Sequence, residues 1–340
     1  MRCKNREIIV KAFSVQELDA FFKSLEPDYD VRVPVSRHDG TRTLGAPGDG
    51  PLALAGGVVP SRITNVFFPH LEAVLAAGGD GITMPSPLAK PLFVAGLTAQ
   101  DADCLEFIDR FFAAAPADDV YMRRRSGAVV ACVSGRCGAG GEFLKIAGGK
   151  SDLELIGDGA NYILASYTET GNALARRIRG GAPVSEAALG KLGEESDALA
   201  ADGLRLIQAA SKLLMENKVP DEFWQKITNR CIACTSCNLA CPSCTCFDVF
   251  DRKAADGIVE RWRLWDSCQL DGFMREASGH NPMGAERQRT HRRIHHRLAA
   301  DVIKWGHITC YLCGRCDMVC PTGIGIKAVC RELVQEYGAA

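Results

Sequence analysis

The chain has 340 residues and a mass of 36.7 kDa, with 47% hydrophobic and 24% charged residues, a formal net charge of -1 and a sequence pI near 6.7. That length supports two domains with separate cores, and the balanced charge supplies no global field for nucleic acid or an anionic membrane surface. The segment Met1–Glu7 lacks the apolar core of a signal peptide and no apolar run reaches bilayer-spanning length, so a cytoplasmic protein with no membrane span is expected.

In chain order, Ser14-Val15-Gln16-Glu17 is a capping box that opens a helix with Val15, Leu18, Phe21, Phe22 and Leu25 on one face, stopped by Pro27. Gly40 to Gly57 is rich in glycine and proline and reads as a loop. Pro91 to Gly96 reads as a buried strand, and Thr98-Ala99-Gln100-Asp101 caps a helix with Ala102, Leu105, Ile108 and Phe111 or Phe112 facing inward. Ala128 to Val133 reads as a second buried strand. Asp152–Ile156 and Tyr162–Tyr167 bracket Gly157-Asp158-Gly159 as a hairpin. Together these predict an α/β domain over residues 1–180. Ser185 to Met215 favours helices, giving a helical bridge over 181–222, where Asp221 caps the helix that delivers Cys231.

The chain carries sixteen cysteines, which in a reducing compartment read as metal ligands rather than as a disulfide framework. Cys231-x2-Cys234-x2-Cys237-x3-Cys241-Pro242 is repeated as Cys310-x2-Cys313-x2-Cys316-x3-Cys320-Pro321. Three closely spaced thiolates wrap one face of a cubane, and the fourth ligates the other cluster of a pair. The expected sets are therefore Cys231, Cys234, Cys237 and Cys320 for one 4Fe-4S cluster, and Cys310, Cys313, Cys316 and Cys241 for a second. Zinc ribbons use isolated C-x2-C pairs and need only four ligands, which disfavours zinc. The long segment between the runs implies a larger, α-helical-type dicluster ferredoxin domain over residues 223–340, an arrangement that resembles the succinate dehydrogenase iron-sulfur subunit.

Trp224 before the first run, Cys241-Pro-Ser-Cys244-Thr-Cys246-Phe-Asp-Val249, Arg263-Leu-Trp-Asp-Ser-Cys268-Gln269, Gly279-His-Asn-Pro282 and the closing Cys310 run resemble the β subunit of cytoplasmic sulfhydrogenases. The same pattern occurs in the corresponding iron-sulfur subunit of anaerobic sulfite reductase and in those of flavin oxidoreductase and heterodisulfide reductase assemblies. The resemblance covers about residues 220 to 335. It implies a relay with a flavin-containing NAD(P)H-linked subunit on one side and a catalytic oxidoreductase subunit on the other. A weaker resemblance over Pro91–Asp109 and Val129–Cys137 breaks where the family has a cysteine and this chain has Gln100. Only Cys132 and Cys137 follow the next strand, which argues against a third cluster there.

Other features have plainer readings. Cys244, Cys246 and Cys268 suit structural roles, with spare ligands or reactive thiols as the alternatives. Cys3, Cys104, Cys132 and Cys137 lack metal spacing and read as free thiols. Gly135 to Gly141 lacks the phosphate-binding patterns that would give the chain a nucleotide of its own. Arg287, Arg289, Arg292, Arg293 and Arg297, with His291, His295 and His296, read first as a solvated helix face. The sharper reading is that they offset cluster charge or meet an acidic partner. His291 and His295 lack a completing ligand for a metal. No catalytic residues are identified, and an electron-transfer subunit is expected. The alternatives are a reductase whose N-terminal domain binds flavin or a small substrate, and a scaffold stapled by clusters.

Overall fold

The computed structural model describes residues 11–78, 81–84, 88–199, 201–254 and 257–338; Cys3 and the segment Met1–Glu7 lie outside them. The chain divides into two compact units, Met1–Ile63 with Pro87–Ala200, and Thr64–Ser86 with Ala201–Ala340. Residues 64–86 thus leave the α/β domain expected over 1–180. The bridge expected over 181–222 is split: the helix Glu186–Ala198 falls in the first unit and Ala201–Met215 in the second.

The first unit is built on a nine-stranded mixed sheet. Its middle is parallel, with Asp30–Ser36, Leu92–Leu97, Val129–Arg136 and Leu153–Gly157 as neighbours. Tyr162–Ser166 and Lys11–Phe13 continue it antiparallel on one side, and Arg42–Gly45 closes the other. That last strand lies inside the stretch expected to be a loop; its Leu44 and Thr43 pair with Pro34 and Val35 of the preceding strand, a hairpin pairing that the local glycine content conceals. Every residue of Leu92–Leu97 is buried, as a strand covered on both faces requires.

Both expected capping boxes are present. Ser14 and Glu17 exchange hydrogen bonds at the start of Val15–Leu25, and Thr98 and Asp101 do so at the start of Ala99–Ala113. The first helix buries Leu18, Phe21, Phe22 and Leu25. Phe21 and Phe22 meet Phe93 of the sheet with ring centroids 6.5 and 5.8 Å away; full burial of such a side chain stabilises by about 1.5–3 kcal/mol. Gly135 belongs to the strand rather than to a phosphate loop. Its φ is +78°, and a Cβ there would lie 2.3 Å from the Gly157 carbonyl oxygen, so only glycine fits.

The second unit combines helices with a four-stranded antiparallel sheet in the order Phe247–Lys253, Val259–Trp265, Leu71–Gly78, Gly81–Thr83. The segment between the cysteine runs therefore opens with a β-hairpin and turns helical only from Glu286 to Trp305. The domain expected to be of α-helical type thus contains a β-hairpin as well as helices. Residues 64–86 are tied in by the ladder from Leu71 to Ala77, by Thr64 Oγ1 donating to the Pro242 carbonyl at 2.9 Å, and by a buried Arg263–Glu72 pair at 2.6 Å. A separate core of Ile207, Leu214, Phe223, Trp224, Ile227, Ile294, Leu298, Val329 and Leu333 packs the helices behind the cysteine runs.

Candidate metal centre

The two cysteine runs adopt matching local structures. Helix Asp221–Thr228 ends just before Cys231, whose amide donates to the Thr228 carbonyl at 2.8 Å. Ala233 and Thr235 then take positive φ of 51° and 62°, and the equivalent Leu312 and Gly314 take 59° and 78°. Non-glycine residues reach this region only at a cost that the surrounding structure must offset. Each excursion turns the chain around its thiols and feeds a one-turn helix, Ser236–Leu239 or Arg315–Met318, that positions Cys237 or Cys316.

Cys231, Cys234 and Cys237 line one hollow, open to solvent, together with Cys320 from the second run, Arg293, Gln269, Thr322 and Ile324. Cys310 feels the charges of Cys313 and Cys241, and Cys316 feels that of Cys310. The chain therefore crosses over, bringing Cys320 to the first run and Cys241 to the second. Among the described residues, no group of three or more histidine, cysteine or carboxylate side chains closes tightly enough to hold a single metal ion. Thiols spread around a hollow suit a cage of several metals and sulfides, which holds its ligands further apart than one ion does.

Backbone amides point at the sulfurs. The N–H groups of Ala233, Ile324 and Ile326 donate to the Sγ atoms of Cys231, Cys320 and Cys316, each at 3.4 Å. Burial pushes the thiols of Cys237, Cys310 and Cys316 up. Burial also opposes ionisation at Cys320, but the Thr322 hydroxyl and the amides of Ile324 and Thr322 outweigh it and bring this thiol down. Charge on the buried sulfurs calls for cations beside them.

Those cations come from the basic stretch, which is not the solvated face expected first. Arg289, Arg293 and Arg297 are buried at four-residue steps along the helix that follows Ala285. Burial works against the charge of Arg293, yet Cys237, Cys316, Cys231 and Cys320 around it raise its pKa. Burial likewise opposes Arg297, where Cys241, Cys244, Cys246 and Asp301 prevail and the pKa rises. Arg293 Nη2 also donates to the Ile324 carbonyl at 2.6 Å, and Arg297 Nη1 to the Ser243 carbonyl at 2.5 Å, fixing both loops. Arg287 remains outward and pairs with Asp221. His291 packs at a tilt against Trp224, with ring centroids 4.5 Å apart, and His295 meets His291 edge-on at 5.0 Å. Sequence reasoning weighed charge compensation by this stretch but did not single out Arg293 and Arg297; their four-residue period was the signal.

Apart from Cys330, buried in the helical core of the second unit, the remaining described cysteines divide into two kinds. Cys104, Cys132 and Cys137 are buried in the first unit, and the Cys137 thiol donates to the Ser134 carbonyl at 3.1 Å. In the second unit the Cys246 thiol hydrogen-bonds with those of Cys244 and Cys268. Asn238 Nδ2 donates to Cys268 Sγ at 3.2 Å. The Cys246 hydrogen bond, against the opposing effect of burial, lowers the Cys268 thiol to about 6. All the described cysteines are free of disulfides.

Residues 230–324 match the family model of the 4Fe-4S dicluster domain. The chain is 31% identical over 103 residues to sulfhydrogenase 2 subunit beta of Pyrococcus furiosus, and the aligned part spans 30% of this chain and 30% of that subunit. Residues 230–324 are thus similar to a 4Fe-4S dicluster domain, and about a third of the chain is similar to part of a sulfhydrogenase β subunit. Among the described residues, no helix is long and apolar enough to cross a membrane.

Proposed function

We propose that this chain is the iron-sulfur electron-transfer subunit of a multi-subunit oxidoreductase and carries two 4Fe-4S clusters. Cys231, Cys234, Cys237 and Cys320 hold one, and Cys310, Cys313, Cys316 and Cys241 the other. The observation that carries this reading is the single hollow lined by three thiols of the first run and one of the second. When bound, such clusters supply reversible one-electron chemistry at a potential set by local charge, hydrogen bonds to sulfur and exposure.

The chain's own residues fit that task. The amides of Ala233, Ile324 and Ile326 hold the sulfurs in place and favour negative charge on them. Arg293 and Arg297 place one buried cation beside each thiol set. Cys234 is exposed at the rim beside Ile232, 62% exposed, so the first site has an edge where a partner can approach closely. The second site is more enclosed: Cys310, Cys313, Cys316 and Cys241 are all only partly exposed. A relay with an open and a covered end suits a place with a flavin-containing NAD(P)H-linked subunit on one side and a catalytic oxidoreductase subunit on the other, as the resemblance implies. The terminal substrate belongs to that catalytic subunit.

Anaerobically purified protein should contain about eight iron and eight sulfide per chain. About four or about twelve would defeat the two-cluster reading. Native material should migrate well above 36.7 kDa with a flavin from a neighbouring chain; a monomer that by itself reduces a substrate with a nicotinamide cofactor would refute the relay.

A further inference from the structure

The thiols of Cys244, Cys246 and Cys268 stand apart from both proposed ligand sets, yet the fold brings them together from two segments. The ladder of the β-hairpin runs from Lys253↔Val259 to Phe247↔Trp265. Just beyond that end, the Asp266 amide donates to the Cys246 carbonyl at 3.1 Å, which sets Cys246 beside the start of the segment leading to Cys268. Ser267 and Cys268 are then held by Asn238 Nδ2, at 3.0 and 3.2 Å, from the short helix after Cys237. Cys268 and Cys244 are buried, at 5% and 2% exposure, while Cys246 is partly exposed. The charge of buried Arg297 acts on Cys244 and Cys246 as well as on Cys241. Nothing in a cubane site requires a second group of touching thiols, and one reachable sulfur backed by a buried one is the arrangement of a redox-active dithiol.

We infer that Cys246 and Cys268 form a reversible dithiol/disulfide couple that exchanges with low-molecular-weight disulfides. Cys246, the accessible sulfur, attacks one sulfur of a disulfide RSSR; the S–S bond of RSSR breaks, a Cys246–S–S–R bond forms, and the first RS group leaves as RSH with the proton that began on Cys246. Cys268, already largely ionised, then attacks the Cys246 sulfur, breaking the Cys246–S–S–R bond and forming the protein disulfide, and the second RS group leaves to take up from water the proton that Cys268 had released. Two thiols are oxidised by two electrons and one RSSR is reduced to two RSH, so nothing else is consumed. Asn238 and Arg297 favour the sulfur charge that develops during each attack. The couple adds a two-electron carrier to a region built for single-electron transfer, and it does not depend on cluster assignment.

The full chain, purified without air, is treated with oxidised glutathione, alkylated with N-ethylmaleimide and mapped by peptide mass spectrometry, with iron measured in parallel. The expected product is a disulfide joining Cys246 to Cys268, reversed by dithiothreitol, with iron content unchanged. Cys268→Ser should stop at a Cys246–glutathione adduct, and Cys246→Ser should take up glutathione about tenfold less readily. Continued alkylation of both thiols, a Cys244–Cys246 disulfide, or oxidation only with loss of iron would each overturn the assignment. A chain that lacks iron as isolated but still forms the Cys246–Cys268 disulfide would defeat the cluster reading and leave this couple standing.

Discussion

Arg293 is buried and its charge is supported first by the sulfur of Cys237, which lines the same hollow, and then by those of Cys316, Cys231 and Cys320. A charged guanidinium is never taken this deep without an anion to meet it, and the sulfurs nearby are where charge must collect when the sites are filled. Its donation to the Ile324 carbonyl at 2.6 Å fixes its position relative to Cys320.

Removing that cation should make electron uptake harder, because the reduced site carries one more negative charge than the oxidised one. Arg293→Met should lower a cluster potential by on the order of 60 mV, about a tenfold change in the one-electron equilibrium. Arg293→Lys keeps the charge and should shift it much less. Redox titration followed by electron paramagnetic resonance reads both, and equal shifts in the two variants would show that packing, rather than charge, sets the effect.

The crossing of the two runs makes a sharper test of ligation. Cys241 lies with Cys310 rather than with the hollow of Cys231. Cys241→Ala should therefore cost about four iron per chain and remove the spectrum of the Cys310 site, leaving the other intact. Cys320→Ala should do the reverse. Loss confined to the Cys231 site in the Cys241 variant would show that the fourth ligands are not exchanged.

How much of this could be read from the chain depended on how local each signal was. The two cysteine runs and the capping boxes of Ser14 and Thr98 are defined within a few residues, and both boxes stand where they were expected. The strand Leu71–Gly78 was missed because its partner, Val259–Trp265, lies far along the sequence and only tertiary pairing defines it. Arg293 and Arg297 look like part of a solvated face to any reading based on hydropathy, since the buried sulfurs that justify them come from other elements. The spacing of Cys244 and Cys246 carried no hint of Cys268, which the hairpin register delivers.

The missed strand leads to a stability prediction. Arg263 Nε and Nη2 donate to Glu72 Oε1 at 3.1 and 2.6 Å, with the guanidinium over the rings of Phe68 and Phe247 at 5.0 and 5.5 Å. Both side chains are almost completely buried, at 2% and 6% exposure. Glu72→Ala leaves the arginine charge without its carboxylate and should destabilise the second unit by about 3–5 kcal/mol. Replacing both residues with apolar ones, Glu72→Leu with Arg263→Met, should recover much of the loss. Urea unfolding followed by circular dichroism checks this; a single variant within about 1 kcal/mol of the parent would mean that the pair contributes little.

The last prediction concerns pH. His291 packs on Trp224 behind the first cysteine run, and burial, followed by the neighbouring His295 and Arg287, lowers it from 6.5 to about 4, against a weaker pull upward from Asp221. The unfolded chain takes up this proton at a higher pH than the folded one does. The neutral ring's contribution is therefore complete above about 6.5 and is lost progressively as pH falls towards about 4. The ring is only half buried, so solvent screening limits the loss to roughly 1–2 kcal/mol. Acid lability of the metal sites would affect every form of the protein, so the useful quantity is the difference between the parent and His291→Gln, which cannot titrate there. That difference should be flat from pH 8 to 7 and should move against the parent as pH falls from about 6.5 to 4.5. Parallel stability curves for the two proteins would show that His291 is protonated equally easily in the folded and unfolded chains.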